Sequence, residues 1–303
     1  MASVAVGKPR LHLSMTNRLR LTGFLFTLPA LVFFLTFRLY PMLRAFQISF
    51  MRFDFLSPGQ YVGLDNYTQL LQDQRVQASF IATGEYLVMH AVPMWICSFI
   101  VALLLVNPLR RRGLYLGVLY LPNVVTTVVA AIIWELLYQP NGLMDQLTYW
   151  LNPQGINWLE DFTWAMPAVV LTSFWRSLGF YTIIVLAGLL AIPQEYYDAA
   201  SIDGATSWQR FWSVTWPLMK PQTLLVVVIS FIASLQAFDA FFVMTDGGPG
   251  DSTRVLAILI YDEAFQYLRM GPAAALSIIL FLALLILTVG QLQLFRGAVD
   301  EVV

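Results

Sequence analysis

Charge is scarce in this chain. Only 12% of the 303 residues are Asp, Glu, Lys or Arg and 58% are hydrophobic, whereas soluble domains carry about 25% and about 45–50%. A water-facing surface cannot be furnished from that inventory, so the chain reads as a membrane protein. Neither sign of charge is in excess, since 17 basic residues face 18 acidic ones. With no basic field and no charged tail, nucleic-acid binding is excluded. The single cysteine, Cys97, precludes an internal disulfide and any multi-cysteine metal site. Two histidines, His12 and His90, are too few for a histidine-rich centre. Both Cys97 and His90 lie among apolar residues, where a satisfied core role is the default. No Ser/His/Asp or Cys/His constellation supports hydrolysis. No Walker sequence supports nucleotide binding, and the run Gly247–Gly250 lacks the Lys-Ser/Thr of a phosphate cradle and reads as a tight loop. Repeats and low-complexity stretches are also absent.

Apolar length is what the chain does have. Six segments, 21–40, 80–106, 114–138, 165–190, 222–244 and 272–295, meet the requirement of about 20 apolar residues for a spanning helix. The first is longer than a signal-peptide core and no small-residue cleavage site follows it, so it is expected to be retained. Ten Lys and Arg residues, including the cluster Arg110–Arg112, fall on the side with both termini and six on the other, with Arg176 inside a span. The richer side is expected to be cytoplasmic. The division that follows is a cytoplasmic tail over 1–20, a six-helix domain over 21–295 and a cytoplasmic tail over 296–303.

The inner connection 191–221 stands apart from the other loops. Pro193, the run Glu195–Ala200, an Asp203–Gly204 turn and Pro217-Leu218-Met219-Lys220-Pro221 read as two short helices hinged at a glycine. Ala199 and Ala200 leave a small face that another protein can approach closely. Gly204 can take the positive φ that closes the first helix, and Asp203 is placed to cap the next.

This segment resembles the "EAA" loop of membrane subunits of bacterial ABC importers: Asp198-Ala199-Ala200, Gly204 and Val214-Thr215-Trp216-Pro217 stand at the family spacing. Asp198 replaces Glu, Val214 replaces Ile and Trp216 replaces Leu. Further matches, Tyr40-Pro41 with Ser49-Phe50, Val62–Tyr67, Thr245–Thr253 and Tyr261–Phe265, resemble the carbohydrate-importing branch of these permeases, the maltose and glycerol-phosphate type. The resemblance implies an all-α, type I importer permease with six transmembrane helices in the bacterial inner membrane. It further implies a second homologous permease subunit, two copies of a cytoplasmic ATPase that hold ATP and Mg, and an extracytoplasmic solute-binding protein. This chain would bind no cofactor and catalyse nothing itself. Its solute would be a sugar or sugar-like molecule, with glycerol phosphate, an amino acid or a polyamine as alternatives. A stand-alone secondary transporter is the rival class, and the matching pair of broken helices that would mark it is not seen in the sequence.

Two sets of site residues follow. The coupling set is Glu195, Asp198, Ala199, Ala200, Asp203, Gly204 and Pro217; Glu195 and Asp198 can pair with ATPase arginines or simply complement the helix dipole. The second set comes from charges inside spans. Glu85 and Glu135 lie near span ends, within reach of the interface. Arg176 lies about 16 Å and Asp239 about 8 Å inward at 1.5 Å per residue. A mid-bilayer charge costs at least about 2.5–3.5 kcal/mol, so both should face the bundle interior, a watery cavity or each other. With Trp175, Phe238 and Phe241 nearby to stack on a sugar's C–H face, Trp175, Arg176, Phe238 and Asp239 form the candidate substrate pathway.

Overall fold

A computed structural model of the chain describes residues 15–54, 59–107, 110–150 and 155–299. Residues 1–14 of the expected N-terminal tail, with Lys8 and Arg10, and residues 300–303 of the C-terminal tail lie outside the described residues.

The first span is α1 (Met15–Phe34), carried through a π turn into α2 (Tyr40–Ile48). A two-residue antiparallel ribbon follows, β1 (Met51–Arg52) with β2 (Gln60–Tyr61). It is the one departure from all-α structure among the described residues. Helix α3 (Asp65–Gln72) then leads into α4 (Gln74–Val106), a continuous second span of 33 residues.

The third expected span is not one straight helix. α5 (Arg112–Val124) and α6 (Thr127–Tyr138) meet at a 95° bend. The expectation of an unbroken 114–138 is therefore corrected, and the local cause is readable. Pro122 removes a backbone donor near the end of α5, Val125 is extended, and Thr126 caps α6 by accepting from the Val129 amide at 3.5 Å.

After α7 (Leu143–Thr148) comes α8 (Ala165–Ala191), the fourth span. It settles how the bent pair runs. Leu119 of α5 lies against Gly179, whereas Trp134 of α6 packs on Trp175 and the Tyr138 hydroxyl donates to the Ala168 carbonyl at 3.0 Å. The pair thus travels along α8 from its C-terminal half to its N-terminal end and counts as one broken span, giving six in all.

The inner connection forms α9 (Gln194–Ile202), α10 (Ser207–Arg210), a π turn over Phe211–Thr215 and α11 (Trp216–Leu218). The fifth span is α12 (Lys220–Leu235) and α13 (Asp239–Met244), interrupted at 236–238. Helix α14 (Leu256–Tyr261) and the long α15 (Met270–Val299) complete the chain.

Small residues let the helices approach closely, as in other membrane bundles where packing replaces the hydrophobic drive. A Cβ on Gly179 would sit 2.1 Å from the Leu119 carbonyl oxygen, and one on Gly188 2.4 Å from the Gln222 side chain. The first obstacle is backbone and cannot swing aside. Gly179→Ala is accordingly expected to destabilise the bundle by at least the ~1–3 kcal/mol typical of overpacking, read as a lower unfolding temperature of the purified protein in detergent. An unchanged temperature would mean that α5 and α8 are not in contact there.

Two apolar clusters stack along the bundle. One joins Tyr86, Val169, Phe241 and Ile258 toward the 245–271 end, and the other joins Met94, Phe99, Val185 and Met219 toward the 191–221 end. No residue in the most apolar stretch of the first span is buried within the chain.

Candidate functional site

A cavity of about 420 Å³ opens at the seam between these two clusters. Its wall takes Tyr86 and His90 from α4, Asn123 and Thr127 from either side of the α5/α6 bend, Ser173, Arg176, Ser177, Phe180 and Tyr181 from α8, and Gln236, Phe238 and Asp239 from the break between α12 and α13. Both helix breaks therefore face the same space. Non-helical backbone at membrane depth is tolerated where it lines a watery cavity, because water satisfies the freed amide and carbonyl groups.

Arg176, Phe238 and Asp239 thus come together as expected. Arg176 is half-buried and Asp239 exposed, and neither makes an ion pair among the described residues. Trp175 does not join them; it lies outside the wall, edge-on to Trp134 at 5.6 Å. Phe241 is fully buried and unavailable for stacking. Phe238 is stacked on Phe242 at 5.1 Å. Glu135 is half-buried in a second pocket of about 380 Å³ near Trp158 and Thr245, and Glu85 is exposed. His90 is buried, as a core histidine would be, yet it stands in the cavity wall.

The hinged loop takes the expected form with one change of role. Gly204 has φ +78°, and the Ala205 amide reaches back to the Ala200 carbonyl at 2.9 Å, closing α9. Asp203 is the C-cap of α9 and does not cap the next helix. That cap is Thr206, whose hydroxyl accepts from the Gln209 amide while the Gln209 side chain accepts from the Thr206 amide at 2.8 Å. A β-hydroxyl with Gln three residues on satisfies two orphan amides at once, which Asp203, three residues before Thr206, cannot reach. Glu195 and Asp198 are exposed, and the Asp198 carboxylate accepts from Gln194 at 3.2 Å. Ala199 is exposed and Ala200 half-buried. Pro217 sits in the first turn of α11, where its missing amide costs nothing.

Among the exposed residues around the hinge are four large apolar ones: Ile202, Trp208, Tyr196 and Trp212 are 87%, 70%, 54% and 49% exposed. From Trp208 an aromatic ladder runs inward through Trp212 at 5.6 Å and Trp216 at 5.9 Å to Phe99 and Trp95 of α4, at 6.2 and 6.1 Å. The Tyr197 and Thr215 hydroxyls, 3.0 Å apart, tie α9 to the π turn. The ladder therefore connects the hinge to α4, whose middle carries the cavity residues Tyr86 and His90, without involving α12.

At the opposite end the remaining sequence motifs turn out to be ties. Asn66 donates to the carbonyls of Ser49 and Met51 at 2.8 and 2.9 Å, and the Tyr67 hydroxyl donates to Ser49 Oγ at 2.7 Å. The motifs at 49–50 and 62–67 are thus two halves of one junction. Thr253 donates to the Gly248 carbonyl at 2.6 Å and Arg254 pairs with Asp251 at 2.6 Å and with Asp262. Buried Glu263 meets Arg75 and Arg269. Burial pushes the Asp262 carboxyl up, with Arg254 opposing, while Arg75 holds the Asp73 carboxyl below the usual range.

The comparisons with known proteins agree with this architecture. Residues 86–297 match the family model described as "Binding-protein-dependent transport system inner membrane component". The trehalose/maltose transport system permease protein MalF of Thermococcus litoralis is 34% identical, over 90% of this chain and 93% of its own length. The sn-glycerol-3-phosphate transport system permease protein UgpA of Agrobacterium fabrum is 31% identical, over 90% and 94%. In three dimensions the chain superimposes with a TM-score of 0.81 on a subunit of a bacterial ABC transporter involved in alginate import, at 22% identity over 93% of this chain and 97% of that one. With its six spans in the type I permease arrangement, the chain belongs to the family of inner-membrane components of binding-protein-dependent transport systems.

Proposed function

We propose that this permease passes a sugar or sugar-like solute through the cavity at Arg176 and Asp239. The observation that carries the reading is the cavity's chemistry: one cation, one anion, amides at Asn123 and Gln236 and hydroxyls at Thr127, Ser173 and Ser177. A wall that is neutral overall yet rich in both donors and acceptors suits a polyhydroxyl solute. The carbohydrate substrate named for MalF agrees with it. Glycerol phosphate, named for UgpA, is favoured by the absence of an ion partner for Arg176 among the described residues, and Asp239 on the same wall weighs against it.

In this reading the hinged loop is the coupling element. The exposed apolar side chains about Gly204 dock on a cytoplasmic ATPase present in two copies, with Ala199, Ala200 and Gly204 at closest approach. ATP and Mg stay on those partners and this chain is non-catalytic. Both termini are cytoplasmic, a second permease subunit covers the unburied face of the first span, and a solute-binding protein docks at the 245–271 end.

Co-purification of the tagged subunit from its native membrane is expected to recover a second permease, an ATPase at two copies per complex and a binding protein. That binding protein's melting temperature should rise with maltose or trehalose but not with glycerol 3-phosphate. Stabilisation by glycerol 3-phosphate alone would replace the sugar reading, and recovery of the subunit alone would remove the importer assembly.

A further inference from the structure

The break at 236–238 is gripped on both sides by one helix. On its N-terminal side, Ser234 of α12 meets His90 of α4, with Nδ1 3.0 Å from Oγ. On its C-terminal side, Phe241 of α13 packs edge-on to Tyr86 of α4 at 4.8 Å. Tyr86 and His90 are themselves stacked, 5.2 Å apart and 9° from parallel. His90 is 4% exposed, Ser234 1% and Phe241 0%, so the contacts of the grip are buried although Tyr86 and His90 stand in the cavity wall with Gln236, Phe238 and Asp239.

The protons can be placed. Ser234 has one hydroxyl proton, and it goes to the Ser230 carbonyl at 2.8 Å, an atom that can only accept. Oγ must then accept from His90, which puts the ring proton on Nδ1. The other nitrogen, Nε2, is buried with no hydrogen-bond partner among the described residues, so it is the bare one and the ring is neutral. An apolar ring would fill the same space without an orphaned nitrogen; what a histidine adds is the bond to Ser234.

We propose that His90 is a positioning residue, which with Tyr86 splints the break in the fifth span and so sets where Gln236 and Asp239 stand in the cavity. The solute path gives the splint its purpose, whereas the experiment reads geometry alone, so the two can fail separately. His12→Gln leaves His90 as the single histidine in a protein carrying a histidine-free tag. In the assembled complex, ¹⁵N NMR of that histidine is expected to show the neutral Nδ1–H tautomer, lost in Ser234→Ala. Separately, in a Cys97→Ser background, Gln236→Cys reports on the break through its rate of modification by a charged methanethiosulfonate. His90→Phe is expected to change that rate at least about threefold, the effect of losing one buried hydrogen bond. His90→Asn, whose amide mimics Nδ1, should restore it, and His90→Gln, whose amide mimics Nε2, should not. An Nε2–H tautomer or an imidazolium in the unsubstituted site overturns the proposal, as does an unchanged rate in His90→Phe or equal behaviour of Asn and Gln.

Discussion

Solute uptake falls by roughly 10- to 100-fold in Arg176→Gln and in Asp239→Asn, the range expected when one charge-assisted hydrogen bond is lost, while the subunit still inserts and assembles. Asp239→Asn is nearly isosteric and removes the charge, while Arg176→Gln removes the charge and shortens the side chain but leaves an amide donor. Neither side chain has an ion partner among the described residues, so no buried counter-charge is orphaned, the event that makes such changes destructive in packed cores. The cavity offsets the cost of holding each charge at membrane depth, and in the proposed reading the solute does so too. Uptake into vesicles, with the ligand of the co-purifying binding protein as the labelled solute, measures the effect; native gels score assembly. Uptake at the unsubstituted rate in both variants would take the pair out of the pathway. Failed assembly in both would make them structural.

Much of this site can be read along α8. Ser173, Arg176, Ser177 and Phe180 recur at i, i+3, i+4 and i+7, one face of a helix. That face lines the cavity, and Trp175, one position off it, does not. The polar stripe, more than the aromatic neighbour in sequence, is the signal that points to Ser173 and Ser177 beside Arg176, with Tyr181 one position further on. The 114–138 segment hid its bend because hydropathy measures length and composition. Pro122 and Thr126 are both ordinary inside apolar helices that stay straight, and only the watery space beside them makes the break affordable. His90 was beyond sequence reasoning, since its role depends on Ser234, 144 residues away. The hinged loop was legible because its geometry is local: a glycine at positive φ needs no tertiary partner. The cap falls to Thr206 and not to Asp203 because Thr206 and Gln209 form a reciprocal pair.

The loop's locality makes Gly204→Val the sharpest test of coupling. At φ +78° a Cβ is strained by its own backbone, yet nothing lies within 4 Å of where it would sit. The substitution therefore acts through conformation alone, and insertion and folding of the spans are expected to be intact. A non-glycine residue held in this region costs roughly 1–3 kcal/mol, most for a β-branched side chain. The chain relieves that strain by giving up the Ala205-to-Ala200 closure, which rotates α9 away from α10 and misplaces the apolar side chains around the hinge. Solute moved per ATP hydrolysed should then drop by about tenfold or more, each 1.4 kcal/mol of lost docking being a factor of ten. Asn tolerates left-handed backbone better than Ala, and Ala better than Val, so the loss should rise in the order Asn, Ala, Val. That order separates a backbone effect from a steric one, since Asn and Val differ little in bulk. If Gly204→Val transports at the normal rate with the proposed ATPase partner still co-purifying, the hinge is only a connection between two spans, and any force that opens the cavity enters this subunit elsewhere.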